Sequence, residues 1–572
     1  MSISNIEKIN THFKLPIFYN DSKMELNKNI TTDLELIKTI DASYCVPLYH
    51  YAFQPKSEFA VKVIEQMPNY YTTDIKFLKD TQSLLSKFKE SSNNSSNSRI
   101  IEIWDEIKND TGFKEKYHYI DWPMWEYLNK SDYFLQIMSI YNLAAPVISL
   151  CVPFIILIIP FFIIKAKGLH ITTSEYIEIL KTIAANHAIG KLFTKFHTVK
   201  MDEQIYILLS AAFYVFSIYQ NVLTCWRFND NMTKIHVYLE DIKKYLEETQ
   251  QTMCAFLLKS ETLNSYSKFN EVVKEKLTTL TNLKVELERI TPYKFTYNKV
   301  GELGYVLKQF YDIYVNTTYN DAILFSFGFN GYIENLTSLS LNIRTKHINL
   351  AKFSNKKKSN QFKKAYYPAL IHNKPIRNSY KFNKNIIITG PNASGKTTTL
   401  KTALINVIIT QQFGCGFYES ASINPYNHIH CYLNIPDTSG RDSLFQAEAR
   451  RCKEIIDAIK NNSIKETHFC VFDELYSGTN PDEAILSAHA FMKYLIKHKN
   501  VNCILTTHFI DLCKKLDSDD SISNFHMKTI KVDDDFNYTY LLEKGISIVR
   551  GGIKVLNDMN YPKEIIDSTL GS

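Results

Sequence analysis

Apolar positions recur at three-to-four spacing through residues 33–90, where Leu34, Ile37 and Ile40 are followed by Ile75, Leu78, Leu84, Leu85 and Phe88, and this pattern predicts amphipathic helices. A Ser/Asn run at 91–98 interrupts them as a linker or loop tip. Residues 143–164 (LAAPVISLCVPFIILIIPFFII) then carry no charge; Ser149 and the prolines Pro146, Pro153 and Pro160 are the only members that are not plainly apolar. At a rise of ~1.5 Å per residue, such a helix is long enough to cross a hydrocarbon layer of ~30 Å. A second uncharged stretch, 205–226, is more mixed, with Ser210, Ser217, Gln220, Asn221 and Thr224. Together they predict a helical hairpin through a membrane that returns both ends to the cytosol. The competing reading is a pair of buried helices in a helical domain. Three prolines at seven-residue spacing speak for the membrane, since they would disturb a water-soluble core helix. The lysines between the stretches (Lys165, Lys167, Lys181, Lys191, Lys195 and Lys200) speak against it, because the positive-inside rule would keep them in the cytosol. From 231 to 289, Ile235, Leu239, Ile242, Leu246 and Met253 trace one stripe among Glu and Lys, which predicts long packed helices or a coiled-coil-like lever ending near Pro292.

The C-terminal part changes period. Three short apolar runs, 386–389, 469–472 and 501–505, read as buried strands, and each ends in a polar cluster. The first runs into Gly390, Pro391, Asn392, Ala393, Ser394, Gly395, Lys396, Thr397 and Thr398 and then into the helical sequence 399–409, which is the P-loop pattern in its strand–loop–helix context. Glycines let such a loop curl so that backbone N–H groups face the phosphates of ATP. Lys396 would neutralise β/γ charge, and the Thr397 hydroxyl would reach Mg²⁺. The second strand ends in Asp473 and Glu474, a metal-holding carboxylate followed by one beside the attacking water. The third ends in Thr506, Thr507 and His508, with the histidine where a γ-phosphate sensor would sit. Each residue alone is ordinary: a surface acid or a core histidine. All of them in order, each at a strand's C-terminal end, predict the switch point of a doubly wound nucleotide-binding sheet.

Composition adds three constraints. At 572 residues the chain exceeds one compact core, so about two to four domains are expected. The ten cysteines show no C-x-x-C pair and no zinc spacing, and residues 1–30 lack an apolar stretch behind a basic start; reduced thiols and an intracellular protein are expected. The net charge of +7 is unevenly spread. Between Glu334 and Glu419 there is no Asp or Glu, while Arg344, Lys346, Lys352, Lys356, Lys357, Lys358, Lys363 and Lys364 crowd the first part of that window. It reads either as a polyanion-binding segment or as a solvated basic linker.

The wording of these motifs resembles the MutS family of ATPases over about 200 residues. Gly390-Pro391-Asn392, the run Asp473-Glu474-Leu475-Tyr476-Ser477-Gly478-Thr479 and Thr507-His508-Phe509 all look like that family's own variants, as does the closing stretch from Tyr540 through Gly545, Gly551 and Gly552 to Tyr561-Pro562. The segment from Asp437 through Gly440 and Ser443 to Glu448 is similar to the family's signature segment, with its Gly displaced by one position. The resemblance implies a composite ATP site in which Ser443 acts in trans across a homodimer, and a helical lever and clamp that closes on DNA. A weaker likeness to the helical core of short members falls on Thr73, Asp74 and Gln82. The N-terminal domain with a Phe-x-Glu wedge that the family's mismatch readers possess is not expected in this chain; Phe417-Tyr418-Glu419 has the letters but lies about 20 residues after the P-loop, inside the ATPase part, so mismatch reading is not expected.

The expected organisation is a helical core-like region (1–135), a membrane hairpin (136–228), a helical lever with a basic linker (229–364) and an α/β P-loop ATPase domain facing the cytosol (365–572). The expected activity is Mg²⁺-dependent ATP hydrolysis driving a dimeric clamp on nucleic acid. The alternative is a membrane-anchored ATPase with a remodelling or transport-like role, although the Leu-Ser-Gly-Gly-Gln signature of transporter ATPases is absent.

Overall fold

A computed structural model describes residues 4–39, 46–88, 97–168, 172–187, 190–192, 196–294, 296–354, 360–433, 443–532, 535–547, 549, 559, 561–562 and 565. In chain order the principal helices are α1 (Asn5–His12), α2 (Lys28–Asp33), α3 (Leu48–Phe53), α4 (Glu58–Ile64), α5 (Ile75–Ser86), α6 (Asn97–Asn109), α7 (Asp132–Ala166), α8 (Thr173–Asn186), α9 (Met201–Ser260), α10 (Ser267–Glu288), α11 (Leu303–Val315), α12 (Thr317–Arg344), α13 (Lys396–Phe413), α14 (Leu444–Asn461), α15 (Pro481–Leu495) and α16 (Ile510–Leu516). The strands are β1 (Lys23–Glu25), β2 (Tyr70–Thr72), β3 (Asn349–Phe353), β4 (Gln361–Ala365), β5 (Asn378–Lys381), β6 (Asn385–Thr389), β7 (Cys415–Gly416), β8 (Ser420–Ile423), β9 (His428–Tyr432), β10 (His468–Asp473), β11 (Val501–Thr507), β12 (Ile522–Val532) and β13 (Asp535–Lys544). They form two compact units, each assembled from separated stretches of chain.

The first unit, built mainly from Ser96–Gln250 and Thr278–Ile323, is helical. Trp104, Phe113, Phe310 and Ile313 are buried in its core, and Tyr119 Oη donates to the Leu307 carbonyl at 2.7 Å. The start of α7 is pressed against α11 at Gly304, where a Cβ would lie 2.3 Å from the Asp132 carbonyl oxygen. Both apolar stretches are helical, within α7 and α9.

The second unit holds Asn5–Ser95, Gln251–Leu277 and Leu324–Ser572. Its main sheet runs β13-β12-β6-β11-β10-β9, parallel except for the antiparallel edge strand β13. The inner strands β6 and β11 are buried along their whole length, which is why they read as continuous apolar runs rather than alternating ones. A smaller sheet, β5-β4-β8-β3-β7, flanks the nucleotide-loop region in sequence and contributes Tyr380 and Phe362 to the core.

Helix α13 is buried on nearly every side, a pattern that only a helix covered on all faces tolerates. Part of that cover comes from the N-terminal stretch. Tyr49 Oη donates to Gln412 Oε1 at 2.8 Å, Gln412 Nε2 reaches the Met67 carbonyl at 2.8 Å, and Gln82 Nε2 donates to the Gly414 carbonyl at 2.6 Å and the Ala351 carbonyl at 2.8 Å. Gly414 caps α13 at φ +72°, and a Cβ there would meet Gln82 Cγ at 2.7 Å.

Several sequence readings are corrected. The helical pattern at 34–37 is a turn, because Glu35 takes a left-handed φ of 52° that ends α2. The expected linker at 91–98 ends early: Asn97 already opens α6. The long helices expected over 231–289 are present as α9 and α10, separated at residues 261–266, and the stripe from Ile235 to Met253 lies wholly on α9. The basic window is not a plain linker, since Lys352 lies on β3 and Lys363 and Lys364 on β4, with Lys364 paired to Glu419 at 2.7 Å. Lys356, Lys357 and Lys358 lie outside the described residues.

Edge strand β9 and its neighbour β10 stack three imidazoles. His428 and His468 have ring centroids 4.7 Å apart, and His430 Nε2 lies 3.1 Å from His468 Nδ1. His468 has no exposed surface, and burial, with the His428 ring beside it, pushes its pKa down to about 4. The folded state therefore holds a neutral ring where the unfolded chain, at about 6.5, takes up a proton. Stability from this site is complete above pH ~6.5 and is lost as pH falls towards 4. His468→Gln, which cannot titrate, should reduce the drop in melting temperature between pH 7.5 and pH 5; an unchanged drop in a pH series of thermal melts would locate the acid sensitivity elsewhere.

Candidate functional site

Strand register brings the three motif strands to a common edge. Asp473 on β10 pairs with Thr506 on β11, and Thr507 pairs with Thr389 on β6, so the residues that follow each strand emerge together. Parallel strands joined by helices leave their loops at the C-terminal edge, which is where such sheets bind ligands.

Gly390, Pro391, Asn392, Ala393, Ser394 and Gly395 form the loop that leads from β6 into α13. Ala393 and Gly395 both take left-handed angles, φ 62° and 93°, and a Cβ at Gly395 would lie 3.0 Å from the Tyr540 ring, which would have to give way. Ser394 is buried, and its Oγ has no hydrogen-bond partner among the described residues. Thr398 sits exposed in the first turn of α13, whose leading N–H groups lack intrahelical acceptors by construction.

The Lys396 ammonium, 5% exposed, turns back over the loop to donate to the Gly390 carbonyl at 2.9 Å and the Pro391 carbonyl at 3.2 Å, and lies 3.6 Å from Glu474 Oε1. Burial pushes its pKa below the usual lysine value; Glu474 and Asp473 oppose that without overcoming it. Asp473 is gripped from two sides: Thr397 Oγ1 donates to its Oδ2 at 2.9 Å and Thr506 Oγ1 to its Oδ1. Glu474, left-handed at φ 49°, turns away from the strand with its N–H bonded to the Thr506 carbonyl at 3.0 Å. Its carboxylate faces His508 Nδ1 at 3.6 Å. The His508 ring, then Lys396, hold it below the usual carboxylate range against burial.

Two clefts flank this centre. One, of about 720 Å³, is lined by Tyr366, Tyr367, Ile376 and Tyr540 as well as by residues 392–399. A second, of about 400 Å³, lies where Gly390, Asn392, Glu474, His508 and Phe509 meet, so Asn392 and Glu474 border both. An apolar, aromatic-lined space beside a phosphate-type loop suits a flat heterocycle attached to phosphates. The chemistry of the donors fits the two groups that the motifs imply. Ser394 Oγ is an unused buried polar atom in the loop, and Thr397 Oγ1 and Asp473 Oδ2 are adjacent hard oxygens of the kind Mg²⁺ takes.

Ser443 is brought to none of these residues by any contact in the described chain. It caps α14 in a reciprocal capping box with Gln446: its Oγ accepts from Gln446 N at 3.3 Å, and its N–H donates to Gln446 Oε1 at 3.0 Å. Asp437 and Gly440 of the same segment lie outside the described residues, as do Gly551 and Gly552. One residue of that segment has a role that sequence did not disclose. Glu448, 2% exposed, accepts from Ser477 N at 3.1 Å, Ser477 Oγ at 3.1 Å and Gly478 N at 3.2 Å, so α14 holds the loop that follows Glu474. A buried Glu three residues past the Phe445 of an amphipathic helix was the available signal. Tyr366, Tyr367 and Ile376 had none, since they precede the P-loop as unpatterned aromatic and apolar residues.

The model of MutS domain V matches residues 386–571, the span from β6 through the closing stretch. This segment is similar to MutS domain V. Similar proteins include the DNA mismatch repair protein MSH3 of Meyerozyma guilliermondii, 29% identical over 201 residues, or 33% of this chain and 20% of that protein. The DNA mismatch repair protein MutS of Leuconostoc citreum is 26% identical over 184 residues, covering 32% and 21%. The DNA mismatch repair protein Msh3 of Dictyostelium discoideum is 28% identical over 201 residues, covering 33% and 14%. The chain thus spans about a fifth or less of these relatives' lengths. MutS domain V is a P-loop ATPase-like fold, in agreement with the mixed sheet and the loop geometry described above.

Lys396 and Glu474 make different contacts, so their replacement is expected to affect nucleotide binding differently. Lys396→Ala removes the buried cation and should weaken a non-hydrolysable ATP analogue by about tenfold to a hundredfold, the value of one to two charge-assisted bonds. Glu474→Gln, which leaves the loop intact and removes a carboxylate next to that cation, should bind it within about threefold of the parent. Titration with a fluorescent analogue measures both.

Proposed function

We propose that the chain is an Mg²⁺-dependent ATPase that works as a homodimeric, nucleotide-switched clamp on DNA. The observation that carries the chemistry is the gathering of Lys396, Thr397, Asp473, Glu474 and His508 at one sheet edge beside the 720 Å³ cleft. In this reading the loop from Gly390 to Thr398 holds the phosphates through backbone N–H groups and the α13 N-terminus. Lys396 exchanges its carbonyl contacts for phosphate oxygens. Thr397 and Asp473 hold Mg²⁺, with Thr506 fixing the second carboxylate oxygen. Bound Mg²⁺ would neutralise charge on the phosphates. Glu474, kept ionised by its neighbours, orients water, and His508 senses the terminal phosphate through the Glu474 carboxylate it faces.

Dimerisation and DNA rest on the relatives and on the sequence. The similar proteins are named for DNA mismatch repair, and Ser443, exposed at the start of α14, is free to meet a second chain. Glu448 would then relay that meeting to the loop after Glu474. The basic strands β3 and β4 with Lys356, Lys357 and Lys358 supply phosphate contacts; mismatch reading is not part of the proposal. A second reading, a membrane-anchored ATPase acting on something other than DNA, with its ATPase domain in the cytosol, is favoured by the exposed apolar faces of α7 and α9.

Shared sites are tested by mixing. Ser443→Asp preserves the helix cap, since Asp caps as well as Ser, but sets a negative charge against phosphate. Neither Ser443→Asp nor Lys396→Ala alone should hydrolyse ATP, and their heterodimer should regain part of the parental rate. Heterodimers that form yet stay inactive would sink the composite site. For DNA, affinity should fall steeply with salt, and replacing Lys356, Lys357, Lys358, Lys363 and Lys364 with Gln should flatten the log–log slope by several units. An unchanged slope would remove the segment from phosphate contact.

A further inference from the structure

Helix α9 meets two environments along its length. Over residues 228–246 it buries Phe228, Met232, Ile235, Leu239, Ile242 and Leu246, as an ordinary packed helix does. Over 205–226 the same helix leaves most of its large apolar side chains outside, Ile207 excepted: Leu208 is 52% exposed, Phe213 69%, Val215 60% and Trp226 65%. Helix α7 repeats the pattern. Its first turns are held in the fold by Gln136, which donates to the Val300 carbonyl at 2.7 Å and accepts from Gly304 N at 2.8 Å. Further along, Val147, Leu150, Ile158 and Phe162 are exposed. No charge occurs between Asp132 and Lys165 or between Glu203 and Arg227.

Several polar groups in the two stretches turn inward, towards each other, while Ser217 and Gln220 stay exposed. Asn221 Nδ2 donates to Ser149 Oγ at 2.8 Å, and Tyr214 Oη donates to the Ser149 carbonyl at 3.0 Å. Further along, Cys225 Sγ lies 3.7 Å from the Leu143 carbonyl, which makes the pair antiparallel. A polar seam inside and an apolar surface outside is the reverse of a hairpin made for water, and it is the packing expected in lipid. A buried core helix would be mostly covered and a leader would lie at the start of the chain; neither description fits these helices. Apolar exposure on both helices, rather than along one stripe, argues against a face made for a second copy of the chain. Exposed Tyr133, Tyr141 and Trp226 lie at the Leu143 end of the pair, where amphipathic rings favour a membrane interface.

We propose that residues 143–164 and 205–226 insert as an antiparallel hairpin into the hydrocarbon core of a lipid bilayer, held together by the Ser149–Asn221–Tyr214 seam. This anchoring is independent of the ATPase reading and of DNA. It leaves the loop between the helices, with Lys165, Lys167 and Lys200, on the side opposite the rest of the chain.

The chain carries its own reporters: Cys151 is exposed within the first stretch and Cys254 is exposed on α9 beyond the second. The full chain reconstituted in phosphatidylcholine vesicles is treated with a membrane-impermeant maleimide, and each cysteine is read by peptide mass spectrometry. Cys254 should label and Cys151 should be protected at least tenfold until the chain is unfolded in SDS. Equal labelling would put the face in water and overturn the proposal. The double variant Ile155→Glu/Phe213→Glu should move from the carbonate-washed membrane pellet to the supernatant with its ATPase rate unchanged. If it stays in the pellet, or if Cys151 remains protected in a variant recovered as soluble chain, protein rather than lipid covers the helices and the proposal fails. Loss of ATPase activity in the parent with retention in the pellet would count against the proposed function alone.

Discussion

Asp473 is the joint on which the site depends. Its two carboxylate oxygens accept from Thr397, at the start of α13, and from Thr506, on the neighbouring strand β11. Two hydroxyls from two elements thus tie the P-loop helix to the centre of the sheet through one side chain. The register that pairs Asp473 with Thr506 and Thr507 with Thr389 sets the same alignment in the backbone. A one-residue slip of β10 against β11 would turn Asp473 to the other face of the sheet, because side chains alternate along a strand. The positive φ of Glu474 completes the arrangement by turning the second carboxylate out of the strand and towards Lys396 and His508.

Around that joint the molecule is arranged to keep α13 still. Gln412 and Gly414 at its far end are bonded to the N-terminal stretch through Tyr49, Met67 and Gln82, and Gln411 exchanges two 2.8 Å hydrogen bonds with the backbone of Tyr426. Buried amides that satisfy both donor and acceptor are costly to leave unmade, so they specify one position for the helix. Glu448 does the same for the loop beyond Glu474. Since α14 begins just after the exposed Ser443, a contact made there has a short, bonded path to the loop that follows Glu474.

The helical unit obeys a different solvent rule. Along α9 the uncharged length from 205 to 226 leaves most of its large apolar side chains bare, whereas from 228 to 246 an apolar stripe is packed and the charged residues lie on the other faces. A surface of this sort is stable only where something other than water covers it. The inward seam satisfies Ser149, Asn221 and Tyr214 within the pair.

Sequence alone was enough for the strands of the ATPase-like domain, because parallel strands covered on both faces must be continuously apolar. It was enough for the P-loop too, because a tight phosphate-type loop needs glycine at Gly395 and a cation and hydroxyl at fixed offsets. It also showed two uncharged stretches long enough for a bilayer, since length and lack of charge are properties of the chain itself. Tertiary structure decided whatever depended on elements distant in sequence. Residues 5–88 pack onto α13; Glu448 holds Ser477 and Gly478; Tyr366, Tyr367 and Ile376 face the loop that follows them; and Lys363 and Lys364 belong to a strand. None of these has a local period or motif, because each is defined by a partner tens to hundreds of residues away. The apolar stretches make the same point: their composition was visible from the start, but whether their faces were covered or bare depended on packing.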